Sequence, residues 1–246
     1  MKGRLSFSCK YGRKSYTYLY STTLSVFHVK QCAPASESPL DLSDAHTFMD
    51  RMPAQVSVLR AYAAYAERFS AAAGLTGSGL EGSFLQAHVL PAIAAWRLIR
   101  PRHRARVADL GAGAGAFACS AAILYGNADV FAIDSSRRHC DFMEDVARRL
   151  PIENLTVLSA RAEVLGGRDD AAGSFDIVGC RALAAGDLPF ELAAPLMRQR
   201  CVLLIWRTCD TLGPEKHGIL RAVSQLDLSQ YSPRLTLTRY DLTGAA

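Results

Sequence analysis

Between Asp109 and Ala116 the sequence reads Asp-Leu-Gly-Ala-Gly-Ala-Gly-Ala, with glycine at 111, 113 and 115. The short apolar run Val107-Ala108-Asp109-Leu110 leads into it, and the uncharged run Ala116 to Tyr125 follows at helical length. A strand that enters a helix through so tight a turn belongs to parallel α/β sheets. Glycine lets the backbone turn sharply and lets a ligand approach it closely. The free N–H groups and positive dipole end of the following helix face the same crevice.

The alternation continues along the chain. Strands are predicted over 129–133, ending at Asp134, then over 155–158, 175–180 and 202–206. Helices are predicted over 137–150, stopped by Pro151, and over 188–197 despite Pro195. Strands alternating with helices predict a doubly wound, mostly parallel α/β sheet of Rossmann-like type. Right-handed crossovers place every strand's C-terminal end on one edge, where the ligand crevice lies. Upstream, Met52 to Ala73 carries Val56, Leu59, Tyr62, Ala63, Ala66 and Phe69 at helical spacing, and Leu85 to Ile99 reads as a second helix. These two form an N-terminal helical extension. Arg234 to Leu242 reads as a sixth strand, and no seventh, closing strand is found after it.

Residues 1–48 differ from the rest. They carry Lys2, Arg4, Lys10, Arg13, Lys14 and Lys30 and no acid before Glu37. Three readings fit: a basic transit peptide, an RNA-binding arm, or translation that starts at Met49 or Met52. On each of them residues 1–48 are an extension, disordered or mis-assigned, and 49–246 form the domain. The formal net charge of +5 suits an anionic partner without requiring one. No run approaches the ~20 apolar residues of a membrane helix, so no membrane partner is expected. The seven cysteines include no C-x-x-C pair, so no metal site or disulfide framework is expected, and buried free thiols are. Free thiols suit a reducing cytoplasm, the expected location.

Asp134, at the end of the second strand of the sheet, is positioned to accept hydrogen bonds from a ribose diol. That supports a nucleoside cofactor without saying which, and Gly111-x-Gly113-x-x-Ala116 also fits the dinucleotide fingerprint. Asp109 separates the two possibilities. An acid two residues before the first glycine would repel a pyrophosphate but can face the cationic methionine end of S-adenosylmethionine.

Four motifs in order resemble the GidB/RsmG family, the small-subunit ribosomal RNA methyltransferases that modify N7 of a guanosine. They are the glycine turn; Asp134-Ser135-Ser136-Arg137-Arg138-His139-Cys140-Asp141-Phe142-Met143; Glu153-Asn154-Leu155 with Ser159-Ala160-Arg161-Ala162-Glu163; and Phe175-Asp176-Ile177-Val178 with Arg181-Ala182-Leu183-Ala184. The resemblance runs from about Val107 to Arg207 and more weakly from Val56. It implies a class I methyltransferase domain that takes S-adenosylmethionine as cofactor and ribosomal RNA, or the small ribosomal subunit, as partner. It implies that Gly111 and Ala116 line the cofactor turn, that Ala162 and Glu163 flank the adenine, and that Arg181 lies at the crevice. With Asp109, Gly113 and Asp134 these are the expected cofactor-binding residues.

Substrate-side segments depart from the family. The turn continues Ala116-Phe117-Ala118 instead of Phe/Leu-Pro-Gly, Arg207-Thr208 replaces Lys-Gly, Gly74-Leu75-Thr76 stands for Asn-Leu-Thr, and His88-Val89-Leu90-Pro91-Ala92 stands for His-x-x-Asp-Ser. A methyltransferase for a small molecule or protein, or a diverged inactive nucleoside-binding member, are the alternative readings. Guanine N7 carries a lone pair and no proton, so no general base is required and none is singled out. The run Arg97, Arg100, Arg102, His103, Arg104 and Arg106 is the candidate contact to RNA phosphates.

Overall fold

The computed structural model describes residues 4–11, 14–21, 29–32, 52–73, 83–99, 101–181, 186–208 and 214–242. Three strands, β1 (Arg4–Tyr11), β2 (Lys14–Ser21) and β3 (Val29–Cys32), pair with one another in a separate antiparallel sheet. The central sheet has eight strands: β4 (Arg106–Leu110), β5 (Asp129–Asp134), β6 (Leu155–Ser159), β7 (Phe175–Arg181), β8 (Met197–Thr208), β9 (Lys216–His217), β10 (Leu220–Asp227) and β11 (Leu235–Leu242). Their spatial order is β6-β5-β4-β7-β8-β11-β10-β9. The first five pair in parallel, and β11 lies antiparallel between β8 and β10.

This topology corrects the expected strand count. The segment read as the sixth strand, 235–242, is the eighth in chain order, and the two before it, the short Lys216–His217 and Leu220–Asp227, were passed over by the sequence reading. The sheet therefore has its closing strand. The longer missed strand alternates weakly, with intermediate burial over most of its length, and its apolar pattern alone does not announce it.

Alternate residues of the inner strands face opposite sides. Val107, Ile177, Val202 and Leu204 pack into a cluster under the N-terminal helices, whereas Ala108, Val178, Leu203 and Ile205 pack into a second cluster on the other face. The first face is covered by α1 (Pro53–Ala73), α2 (Leu90–Leu98), α3 (Ala116–Leu124) and α4 (Arg137–Arg149). The second is covered by α5 (Ala162–Leu165) and α6 (Leu188–Ala193).

Two helices differ from expectation, each at a proline. The one predicted over 85–99 begins as a π-helical turn, Leu85–Val89, and continues as α2, whose first turn holds Pro91 where the lost N–H costs little. The one predicted over 188–197 ends at Ala193, and Pro195 lies in a 3-10 turn, Ala194–Leu196. The α1 helix is held by fully buried Leu59, Tyr62 and Ala66, and by the Tyr65 hydroxyl bonded to the Asp145 carboxylate on α4. Cys119, Cys140, Cys180 and Cys201 are buried free thiols. Among the described residues no helix is long and apolar enough to cross a membrane, and no group of His, Cys, Asp or Glu could hold a metal ion.

Candidate cofactor site

The expected site residues lie at the C-terminal ends of four adjacent parallel strands, β6, β5, β4 and β7. The strand order reverses beside β4, which opens a crevice there. Gly111, Gly113 and Gly115 have φ of 67°, 58° and 79°, the left-handed region that favours glycine. Gly111 and Ala112 donate to the Ile133 carbonyl at 2.9 and 3.1 Å, which ties the turn to β5. A Cβ on Gly115 would stand 2.9 Å from Met143 Sδ, so that glycine is fixed by packing. A Cβ on Gly113 would meet nothing within 4 Å, so the space before Gly113 is open to a ligand.

Asp134 is 8% exposed, and its carboxylate accepts from Gly113 N at 2.8 Å and Ser136 N at 2.8 Å. His139 Nδ1 is 3.2 Å away without hydrogen-bond alignment. A carboxylate offers about four lone-pair sites, so capacity remains for a ligand hydroxyl after the turn is secured. Asp134 thus has a structural duty that its sequence position did not reveal.

Asp109 lies beneath the turn, 2% exposed, and accepts from Ala118 N at 3.0 Å, capping the first turn of α3. The amides of Ala116 and Phe117 have no carbonyl one turn earlier to bond. Burial pushes the Asp109 carboxyl up from 3.8 to about 7, against the pull of the Ala118 amide and of Arg181. Arg181 donates to the carbonyls of His88 at 2.8 Å and Ala87 at 2.6 Å in the π-helical turn. It therefore clamps the N-terminal extension to the end of β7. Burial, then Arg181, lowers the His88 imidazole to about 3, which leaves it neutral at physiological pH. Ala162 is buried and Glu163 exposed at the start of α5, beyond β6.

Sequence reasoning missed Tyr62, whose hydroxyl donates to the Ala114 carbonyl at 2.7 Å and holds the turn from α1. At helical spacing it read as core, and only the fold brings it to the turn. It also missed Gly179, against which the Phe117 ring of α3 packs on the face of the sheet.

The basic run is divided. The Arg97 side chain and Arg100 lie outside the described residues, whereas Arg102, His103 and Arg104 are exposed. The Arg106 guanidinium sits 4.9 and 5.0 Å from the ring centroids of Phe131 and Phe175, so its side chain is committed to packing.

The Asp109 environment predicts a pH dependence. Folding raises this pKa, so between about 4 and 7 the folded chain binds more protons than the unfolded one, and stability falls as pH rises across that window. His88 acts oppositely, losing stability as pH falls from 6.5 toward 3. Comparing the parent with Asp109→Asn isolates the carboxyl. The melting temperature of the variant relative to the parent should rise by roughly 5–10 °C between pH 5 and pH 8, a few kcal/mol at ~2–4 °C each. A flat difference would mean that Asp109 is charged throughout.

The sequence pattern of the GidB family, rRNA small subunit methyltransferase G, matches residues 55–212. The ribosomal RNA small subunit methyltransferase G of Syntrophomonas wolfei is 34% identical over 102 residues, 42% of this chain and 47% of that protein. The protein of the same name from Deinococcus radiodurans is 42% identical over 90 residues, 37% of this chain and 36% of that protein. The chain thus spans less than half the length of these curated relatives. A SAM-dependent methyltransferase from Aquifex aeolicus superposes with a TM-score of 0.50 at 14% identity, over 66% of this chain and 94% of that one, a likeness of fold.

Proposed function

Because the chain belongs to the GidB family of rRNA small subunit methyltransferases, we propose that it binds S-adenosylmethionine at the glycine turn and methylates guanine N7 in 16S ribosomal RNA. The reading rests on Gly113, which opens onto free space between the Asp134 carboxylate and the start of α3. That arrangement suits a ligand with a ribose diol. Asp134 would accept from the diol, Gly111 and Gly113 would let the ligand lie against the backbone, and Ala162 and Glu163 would flank its base. When bound, the cofactor supplies a methyl group on a sulfonium sulfur. Asp109, buried behind the turn, keeps Ala118 and the helix start in place instead of meeting the ligand directly.

Guanine N7 needs no proton removed, so the chain's contribution is to hold the acceptor in line, with reacting atoms ~3–3.5 Å apart, and to exclude water. Arg181 carries its charge at the end of β7 while Nη1 and Nη2 each donate to a carbonyl, those of His88 and Ala87. Its part is to fix the wall of the crevice formed by the π-helical turn. Ribosomal RNA is the expected partner and the cytoplasm the expected location.

Calorimetric titration of the full chain with S-adenosylmethionine and with NAD tests the cofactor: we expect saturable binding of the first only. Transfer from labelled S-adenosylmethionine to small-subunit RNA, followed by nucleoside mass spectrometry, tests the product, expected to be 7-methylguanosine. Binding of NAD with no signal from S-adenosylmethionine would overturn the reading.

A further inference from the structure

The opposite end of the sheet carries a second concavity. Here β7 advances from Phe175 to Ile177 while β8 advances from Met197 to Val202, so Arg198, Gln199, Arg200 and Cys201 bulge out of the ladder. Bulges re-aim side chains, and Arg200 holds φ of 65°, a conformation non-glycine residues seldom adopt. The bulge forms one wall of a cavity of about 100 Å³. Ile99, Pro101, Arg102, Ile177, Val202 and Arg239 are also in its lining. The space holds several water molecules at ~10–15 Å³ of cavity volume each, which is room for a phosphate group.

Four arginines converge there with unequal commitments. Arg198 is pinned, with Nη1 2.9 Å from Asp176 Oδ1 and Nη2 2.6 Å from the Ser174 carbonyl. Arg239, 7% exposed, donates through Nε and Nη2 to Asp241 at 2.8 Å each. Arg102 and Arg200 are exposed and have no carboxylate partner among the described residues. Asp176 is the acid in the lining, and its oxygens are taken by Arg198 and the Arg106 amide. Two neutralised arginines therefore shape the pocket and two uncompensated ones stand over it. Guanidinium forks suit phosphate oxygens.

We infer that this pocket takes a phosphate group of the RNA backbone, a second anchor at the end of the sheet opposite the glycine turn. The RNA source rests on the proposed function; the phosphate chemistry does not. The basic run of the sequence contributes Arg102 here, the bulge about a hundred residues later contributes Arg198 and Arg200, and β11 contributes Arg239.

The experiment uses the full chain, a double variant Arg102→Gln with Arg200→Asn, and the control Arg60→Gln. Asparagine tolerates the positive φ of Arg200, and Arg60 is an exposed arginine on α1, outside the pocket and outside the basic run. Equal melting temperatures establish that all three fold. Binding of 16S RNA is measured across ~50–200 mM salt, with S-adenosylmethionine binding in parallel. The double variant should lose about tenfold or more in RNA affinity, with a salt slope shallower by about one, while its cofactor binding stays at the parent value. The control should stay within about threefold of the parent. An unchanged double variant, or a control that loses as much, overturns the pocket. If the parent binds S-adenosylmethionine but no RNA, the substrate reading falls, and the pocket is judged with inorganic phosphate by 31P line broadening. Broadening by the parent and not by the double variant upholds the phosphate site, and no broadening by the parent overturns it.

Discussion

Replacing Gly179 by alanine is expected to destabilise the domain by about 3 kcal/mol or more, lowering its melting temperature by roughly 10 °C. An alanine Cβ at this position on β7 would stand 2.3 Å from Phe117 Cε1 and 2.5 Å from Cδ1. The ring cannot step aside. It is stacked on Trp96 at 4.5 Å with an interplanar angle of 6°, and Trp206 meets it edge-on at 5.0 Å. All three side chains are buried, so relief would have to come from separating α3 from the sheet. The ~0.4–1 kcal/mol that a Gly→Ala change can contribute through the unfolded chain is too small to offset this. A double-mutant cycle with Phe117→Leu separates a clash from a general intolerance at the position. Leucine at 117 alone should cost stability through lost packing, yet the pair should be more stable than the sum of the singles by at least ~1 kcal/mol. A Gly179→Ala chain that melts within a degree of the parent would refute this packing. Because Gly179 pairs with Asp109 in register, the clash should also disturb the glycine turn.

The second large effect is expected at Asp134. Alanine there removes a charged acceptor from the proposed ribose contact and, at once, the acceptor for the Gly113 and Ser136 amides. Hydrogen bonds to charged groups contribute ~1.5–3 kcal/mol, so affinity for S-adenosylmethionine should fall by about two orders of magnitude. Stability should drop by ~1–2 kcal/mol as the turn loses its side-chain tie to Asp134 while the backbone bonds to Ile133 remain. Asp134→Asn separates the two roles, since its carbonyl oxygen can still accept from one amide. It should recover most of the stability and little of the affinity. Calorimetry and thermal melting of both variants give the answer, and parent-like affinity in Asp134→Ala would remove Asp134 from the cofactor site.

Much of this protein was written locally. The pattern of apolar runs and helical spacing gave the alternation of strands and helices, because side-chain periodicity is set within a few residues. The glycines at 111, 113 and 115 announced the turn, since three positive φ angles in seven residues suit little else. Parallel strands with right-handed crossovers then put Asp109, Asp134, Ala162 and Arg181 on one edge. Tertiary structure decided what pairing over long distances controls. The place of Leu235–Leu242 between β8 and β10 follows from register across the sheet, and the weakly alternating strand at 220–227 is stabilised by that neighbour. The duties of charged groups were likewise invisible. Asp134 serves its own turn, Asp109 a helix start, and Arg181 the carbonyls of a π-helical turn about ninety residues earlier. Sequence spacing tells which edge a side chain reaches. Burial and the backbone donors or acceptors it meets there tell what it does, and those belong to the folded chain alone.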